Sequence, residues 1–590
     1  MSFNRYYQDE LIALRELGRE FSQRNPALSP FFETPGRDPD AERILEGFAF
    51  LTGRLHQKLD DELPEITHSL FNLLWPHYLR PMPACSIIRY EPSTNTTGAA
   101  LIPKNSLVES VPVQGTRCRF RTVYDTQVLP IRLTGQTFME KEGGVHLVLS
   151  FESLGVPLEN LSLSSLRFFL TGEKGVAQTI YFTMLRKVRE VGVVLFDAQK
   201  KRHTVARLNA EKNISPVGFR ESEFMLPYPP NAFPGYCIIQ EYLCFPEKFL
   251  FVDVAGLEEG LNREVLSRYK DSASFELHFA LDDLPESFES FKPQNWQLFC
   301  TPVVNLFAMD ATPLTVDQRR SEYRIVPDPR LPYHYAVFSV DKVSSWGHDN
   351  RGRRRYSQFE SFEHEAELNA PAYYRLRLRP SHMDGGTEFH ISISHPPENP
   401  LAPQGETISL ELTCTNRFLP GELGVGDIGT HADNSPDAVS FRNITPVVPS
   451  FNPPLEGDLL WRLLSNMSLN YVSLTNVPAL RAIIAAYNFR ARYDRPHARM
   501  FEKNLKGMVS ISCSEADRVH RGLLVRGAVT TLMLDQGFFS SEGDMFLFAS
   551  VLNEFFALYA TVNSFHRLVV VEAKRKEEYQ WPARLGRMHL

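Results

Sequence analysis

Trp75-Pro-His-Tyr-Leu-Arg-Pro-Met-Pro-Ala-Cys-Ser-Ile-Ile-Arg-Tyr90 is the stretch at which the chain changes its period. Upstream of it, apolar residues recur at three- and four-residue steps, the spacing of one helical face; from Pro81 onward they alternate, the spacing of a strand. On the upstream side Phe3, Tyr6, Tyr7, Leu11, Leu14, Leu17 and Phe21 fall on a single stripe, with Ser2 as N-cap and Asn25-Pro26 as a stop. Asp40 opens a second helix with Ile44, Phe48, Leu51, Leu55 and Leu59 on one face, and Pro64 suits the first turn of a third helix, Glu65 to Leu74, closed by Pro76. Downstream, strands are expected at Ser86–Tyr90, Arg119–Tyr124, His146–Phe151, Thr179–Met184 and Val191–Phe196, then at Tyr333–Val340, Tyr373–Leu378, Glu388–Ser394 and Thr407–Thr413.

The last part of the chain mixes both periods. Leu459–Asn470 has helical spacing, Asn476 can cap a helix with Pro478 in its first turn, and Gly507 can end another around Met500–Lys506. Strands at Met508–Cys513 and Leu523–Leu534, a helix from Asp544 and a strand at Leu568–Val571 complete an α+β order. Proline clusters near 230 and 450 suggest boundaries. The expectation is an α+β multidomain protein: a helical N-terminal segment over residues 1–82, a β-rich domain over 83–234, a β-rich middle over 235–450 and an α+β C-terminal domain over 451–590.

Composition narrows the function. At 590 residues the prior is about four domains. A net charge of −7 offers no general attraction for a phosphate backbone, so nucleic acid is not expected as a partner. Seven cysteines without a C-x-x-C pair suggest neither a disulfide framework nor a zinc site, and point to a reducing cytosol. Charged residues fill the first twenty positions, where a signal peptide would need an apolar core, and the charge-free run from Leu463 to Leu480 is too polar to span a bilayer.

The motif search finds no catalytic constellation. Gly424-Val-Gly-Asp-Ile-Gly429 has the letters of a dinucleotide fingerprint, but Pro436 follows where the phosphate-holding helix would have to run, so a loop is expected. His364-Glu365 begins like a zinc-protease motif, but Leu368 replaces the second histidine; His390 and His395 are an odd number apart on a strand and so face opposite ways. Asp60-Asp61-Glu62 diverges around a helix instead of pairing as a glycosidase dyad would. Arg351-Gly-Arg-Arg-Arg355 is expected to be a solvated loop or a contact for an acidic partner. No catalytic, cofactor or metal residue is expected.

Long, unusual strings carry a resemblance. They include Phe3-x-x-Tyr-Tyr-x-x-Glu-Leu, Asp61-Glu-Leu-Pro-Glu-Ile-Thr-His68, Leu73-Leu-Trp-Pro-His-Tyr-Leu-Arg-Pro81, Gln240-Glu-Tyr242, Phe245-Pro-Glu-Lys-Phe-Leu-Phe251 and Cys300-Thr-Pro-Val-Val-Asn-Leu-Phe307. Towards the end come Trp461-Arg-Leu-Leu464, Phe555-Phe-Ala-Leu-Tyr559 and Trp581-Pro-x-Arg-x-Gly586. In this order they resemble the TssF (VasA/ImpG) baseplate subunits of bacterial type VI secretion systems, from one end of the chain to the other. The resemblance implies a structural wedge component without cofactor. Its implied partners are TssG, with a pair of TssF copies per wedge, TssE, TssK, the VgrG spike, the sheath and the Hcp tube. It also implies a cytoplasmic protein assembled at the inner face of the cytoplasmic membrane, touching the membrane only through the complex that docks the baseplate. Within such an assembly the stripe Phe3, Tyr6, Tyr7, Leu11, Leu14, Leu17 and Phe21 is the candidate protein interface. The runner-up class is a cytosolic carbohydrate-active hydrolase with a β-rich body.

Overall fold

The computed structural model describes residues 39–60, 75–92, 98–346, 353–359, 372–394, 406–453 and 476–586, apart from short internal stretches, together with scattered positions among the first 72. Residues 1–71 with 454–467 form one unit and 72–453 with 468–590 the other.

The smaller unit contains the 22-residue helix α1, Pro39–Asp60. This is the helix expected to open at Asp40. A helical segment running over all of residues 1–82 is not supported, however. A four-residue 3-10 turn, Pro76–Leu79, precedes extended chain that enters the strand Cys85–Glu91. Pro76, at the first position of that turn, has no amide to donate and cannot continue a helix from the residues before it. The expected helix at Leu459–Asn470 lies outside the described residues, as does most of that at 65–74.

The larger unit is built mainly of antiparallel sheets. A six-stranded sheet draws neighbours from distant parts of the chain: Ile428–His431, Leu107–Val113, Thr116–Thr122, Cys300–Val304, Cys85–Glu91 and Ser440–Asn443, in that order. A five-stranded sheet places Ser274–Leu281 between Val188–Phe196 and Gly144–Ser153. One face is mainly apolar, with Phe151 stacked on Phe275 at 4.8 Å. The other buries a polar knot. Glu276 there accepts hydrogen bonds from His278 Nε2 (2.8 Å), Arg202 Nε (2.9 Å), Arg202 Nη2 (3.1 Å) and Ser150 Oγ (3.3 Å). Burial alone would raise this carboxyl; the hydrogen bonds from His278 and Arg202 overcome it and hold the pKa at about 2. An eight-stranded sheet over residues 307–415 carries a core of its own around Val343, Tyr356, Ile391, Leu410 and Leu412.

The C-terminal part is a β-α-β arrangement. Strand Leu523–Leu534 runs parallel to Phe565–Glu572 and antiparallel to Met508–His520. A parallel pair needs a crossover, and the 16-residue helix Glu542–Ala557 supplies it. That helix is buried on nearly every side, the mark of a helix in the middle of a core.

One expected strand is a helix. Thr179–Met184, rich in β-branched and aromatic residues, lies in α2, Val176–Phe182, and in the π-helical turn Thr183–Lys187 that follows. Tertiary packing overrides propensity here. The helix Glu542–Ala557 presses Gly543 so closely onto α2 that a Cβ added there would lie 2.0 Å from the Gln178 carbonyl oxygen.

Alanine is ordinarily the better helix former by about 1 kcal/mol. Gly543→Ala is nonetheless expected to lower stability by about 1–3 kcal/mol or more, because two backbones must separate. A thermal melt with unchanged or raised stability would show that the helices do not pack as described. For Glu276 the depressed pKa fixes the sign: its contribution is complete above the unfolded value of ~4.3 and is lost as pH falls towards 2. The stability gap between the wild type and Glu276→Gln should therefore narrow between pH 5 and pH 3; a constant gap would dissociate the network from stability.

Candidate protein interface

Each motif with catalytic letters can be located or set aside. The Gly424–Gly429 stretch is a turn leading into a short strand, and three of its amides are used internally. Gly424 N–H bonds to Asp427 Oδ2 at 2.7 Å, and the N–H groups of Gly426 and Ile428 both donate to the buried Asn443 Oδ1 at 2.9 Å. Asn443 Nδ2 returns a bond of 3.0 Å to the Gly424 carbonyl. Three of its amides are thus committed, and a strand, Ile428–His431, follows where the phosphate-holding helix would have to start. Glu276, the best-buried acid beside a histidine, already receives four donors. The Arg353–Arg355 part of the basic run is the start of a strand, Arg353–Gln358, paired with Ser344–Trp346, and not a loop. Asp61, Glu62, His364, Glu365, Leu368 and His395 lie outside the described residues. Among the described residues no group of three His, Cys, Asp or Glu side chains could hold a metal, and no helix is long and apolar enough to cross a membrane. Nothing here supports the hydrolase alternative.

Apolar side chains that face water are the more informative signal. On α1, Ile44, Phe48 and Leu51 are 72%, 57% and 63% exposed, while Ala49 on the opposite side is fully buried. They occupy i, i+4 and i+7, one face of the helix. This is the stripe visible in the sequence; the side chains of Leu55 and Leu59 lie outside the description. Of the seven N-terminal candidates, Tyr7, Leu11 and Leu14 are helical and half-buried; Phe3, Tyr6, Leu17 and Phe21 lie outside the described residues.

A second apolar spot was not foreseen. In the hairpin Met508–His520/Leu523–Leu534, the third strand covers only Gly527–Leu534, so the distal part stands as two strands. Near its tip Val519 and Leu524 face each other in register, 68% and 73% exposed. An isolated two-stranded ribbon is marginal in water, and apolar residues at its end suit a surface that another protein covers. Sequence alternation marked the strands, but nothing in it told how far the third strand would reach.

The buried side of the molecule explains the unusual strings. Helix α3, Pro234–Cys244, carries Glu241, whose carboxylate meets Lys248 Nζ; both side chains are wholly buried. Glu241 Oε1 also accepts the Met225 and Leu226 amides at 2.9 and 3.2 Å, and Lys248 Nζ donates to the Gly218 carbonyl at 3.0 Å. From the 75–81 string, His77 stacks on Tyr487 (6.4 Å, 19°), and Tyr487 on Tyr236 of α3 (5.3 Å, 21°). Burial, aided by the Arg80 charge, lowers the His77 pKa to about 3, so the ring is a neutral packing element. These strings are structural joints.

A family model described as "Type VI secretion system, TssF" matches residues 1–588. Among characterised proteins, the type VI secretion system component TssF1 of Pseudomonas aeruginosa is 27% identical over 629 aligned positions, which cover 98% of both chains. Among solved structures, a chain of a TssK-TssF-TssG baseplate subcomplex matches with a TM-score of 0.75 at 29% identity, covering 92% of this chain and 98% of that one. A chain of a type VI secretion baseplate complex matches with a TM-score of 0.65 at 27% identity, covering 99% and 100%. With its whole length matched and its buried joints built from the strings that carry the likeness, the chain belongs to the TssF family of the type VI secretion system.

Proposed function

We propose that the chain is a structural wedge subunit of a type VI secretion baseplate, working by holding partners and not by catalysis. The observation that carries this is the end-to-end likeness to a chain solved within a TssK-TssF-TssG subcomplex. TssG- and TssK-like proteins are its direct partners, with a second copy of the chain beside the first in each wedge. TssE, the VgrG spike, the sheath and the Hcp tube follow from the family's role. The place of work is the cytoplasm, at the inner face of the membrane, reached through the docking complex.

Exposed apolar residues support the reading. A subunit that must hold several neighbours needs large interfaces with apolar centres, and the Ile44-Phe48-Leu51 face has the i, i+4, i+7 anchors of a helix laid in a partner's groove. The stripe Phe3, Tyr6, Tyr7, Leu11, Leu14, Leu17 and Phe21 is proposed as a second helical contact of this kind.

Co-expression of the chain with its TssG- and TssK-like partners should yield a stable complex. Phe48→Asp places a charge where an apolar anchor is proposed, and should weaken partner capture by at least thirtyfold, a loss of about 2 kcal/mol or more, with the melting temperature of the isolated chain nearly unchanged. Leu14→Asp should do the same at the other stripe. Full capture with a lowered melting temperature would instead mean that these stripes pack within the chain.

A further inference from the structure

The larger unit contains a cavity of about 110 Å³ that none of the foregoing uses. This is well below the roughly 300–1,000 Å³ of pockets that take cofactors. Its walls come from four separate places: α2, the α3 end with the turn Pro246–Phe249, the helix α4, Arg495–Lys506, and the start of the helix Glu542–Ala557, here α5. Leu243, Leu250, Phe501 and Leu547 make them mostly apolar. Met500, half-exposed, stands at the rim.

Two polar atoms of this lining have no partner, although Gln178, Tyr242, Asn504 and Ser540 bring donor groups to other parts of it. Glu247 Oε2 and His497 Nε2 are both shielded from water with no hydrogen-bond partner. Asp544 also lines the cavity, its Oδ2 taken by Ser540 N–H (3.1 Å) and Oγ (2.9 Å). Burial raises the Glu247 carboxyl, and burial together with the nearby Arg490 charge lowers His497 to about 4, so its imidazole is neutral. With the Leu243 carbonyl beside the ring as its acceptor, the free nitrogen is a lone pair. Arg490, the cation near both groups, is occupied by Asp494 through bonds of 3.1 and 3.0 Å. An unsatisfied buried acceptor costs about 1–3 kcal/mol, so two in one small cavity need an explanation.

We infer that this cavity receives a lysine side chain from a partner protein. An ammonium brings three donors and no acceptor: its charge would favour ionisation of the buried Glu247 and supply the missing donor there, the His497 lone pair offers a second acceptor in the same lining, and its four-carbon stem suits the apolar walls. Arginine is the poorer fit, since its planar five-donor fork asks for more space and more acceptors than a 110 Å³ cavity provides.

This inference rests on the assembly reading, and its test keeps the two apart. Affinity of the full-length chain for its TssG- and TssK-like partners is measured for the wild type and for Glu247→Gln, which preserves shape and removes the charge. At least tenfold weaker binding is expected, with a melting temperature of the free chain that is equal or higher. Acetylating the partners' lysines should weaken wild-type binding to the same degree, and should add little to the loss already seen in Glu247→Gln. Equal affinity of wild type and variant, or additive losses, would overturn the lysine contact while leaving the assembly intact. Failure of the wild type to bind either partner would overturn the assembly reading itself. Stabilisation of the free chain by ethylammonium, with partner affinity indifferent to Glu247, would assign the cavity to a free amine and likewise overturn the proposal. Should Glu247→Gln fold poorly, the acetylation comparison on the wild type decides: unchanged binding rejects the contact.

Discussion

The Glu241–Lys248 pair is the constraint on which the larger unit depends. Two opposite charges seven residues apart are fully withdrawn from water, and both also bond backbone groups. Desolvation of such a pair costs several kcal/mol per ion, so it endures only when every lone pair and proton is matched. Here the matching partners are the Gly218 carbonyl and the Met225 and Leu226 amides. Closing the pair therefore sets the course of the loop from 217 to 228. Gly218, at φ +103°, holds a backbone conformation that a side chain would strain, and a Cβ there would press on the Tyr124 hydroxyl at 3.1 Å. The Tyr124 hydroxyl itself bonds the Lys248 carbonyl at 3.1 Å, which joins the loop to the six-stranded sheet.

From this joint the packing spreads in two directions. Phe249 and Phe224 lie beneath the ammonium at 4.7 and 5.5 Å, and Phe251, at the start of the next strand, meets Tyr124 edge-on. Towards the C-terminal part, Tyr236 on the same helix connects Tyr487 with Phe555. Segments near residues 77, 124, 236, 487 and 555 are thus tied by rings and buried polar bonds set among apolar core residues. Among the exposed apolar residues, Ile44, Phe48 and Leu51 share one face of the helix Pro39–Asp60, and Val519 and Leu524 pair at a hairpin tip.

Strand alternation was legible where one face of a strand is buried. Tyr373–Leu378 and Glu388–Ser394 fall inside Ala372–Pro380 and Thr387–Ser394 because arginine and histidine alternate with residues of the sheet core. Alternation carries no signal where burial is two-sided. Helix α3 has ten buried residues in eleven, so it shows no amphipathic period, and Thr179–Met184 carries β-branched residues into a helix held by its neighbours. The strings Gln240-Glu-Tyr242 and Phe245–Phe251 were recognisable as unusual, yet the ion pair between them requires the turn at Pro246–Phe249, which spacing alone does not specify. The cavity around Glu247 was invisible for a similar reason: its walls come from positions near 178, 247, 497 and 544, and only the fold brings them together.

The most direct test of this account is a double-mutant cycle on the pair at its centre. Unfolding free energies would be measured for Glu241→Leu, Lys248→Met and the combination, alongside capture of the TssG-like partner. Each single change should cost about 3–5 kcal/mol by stranding a buried charge, while the double change should cost clearly less than the sum, with partner capture following the folded fraction. Additive losses, or single changes below about 1 kcal/mol, would contradict the claim that this pair organises the body of the subunit.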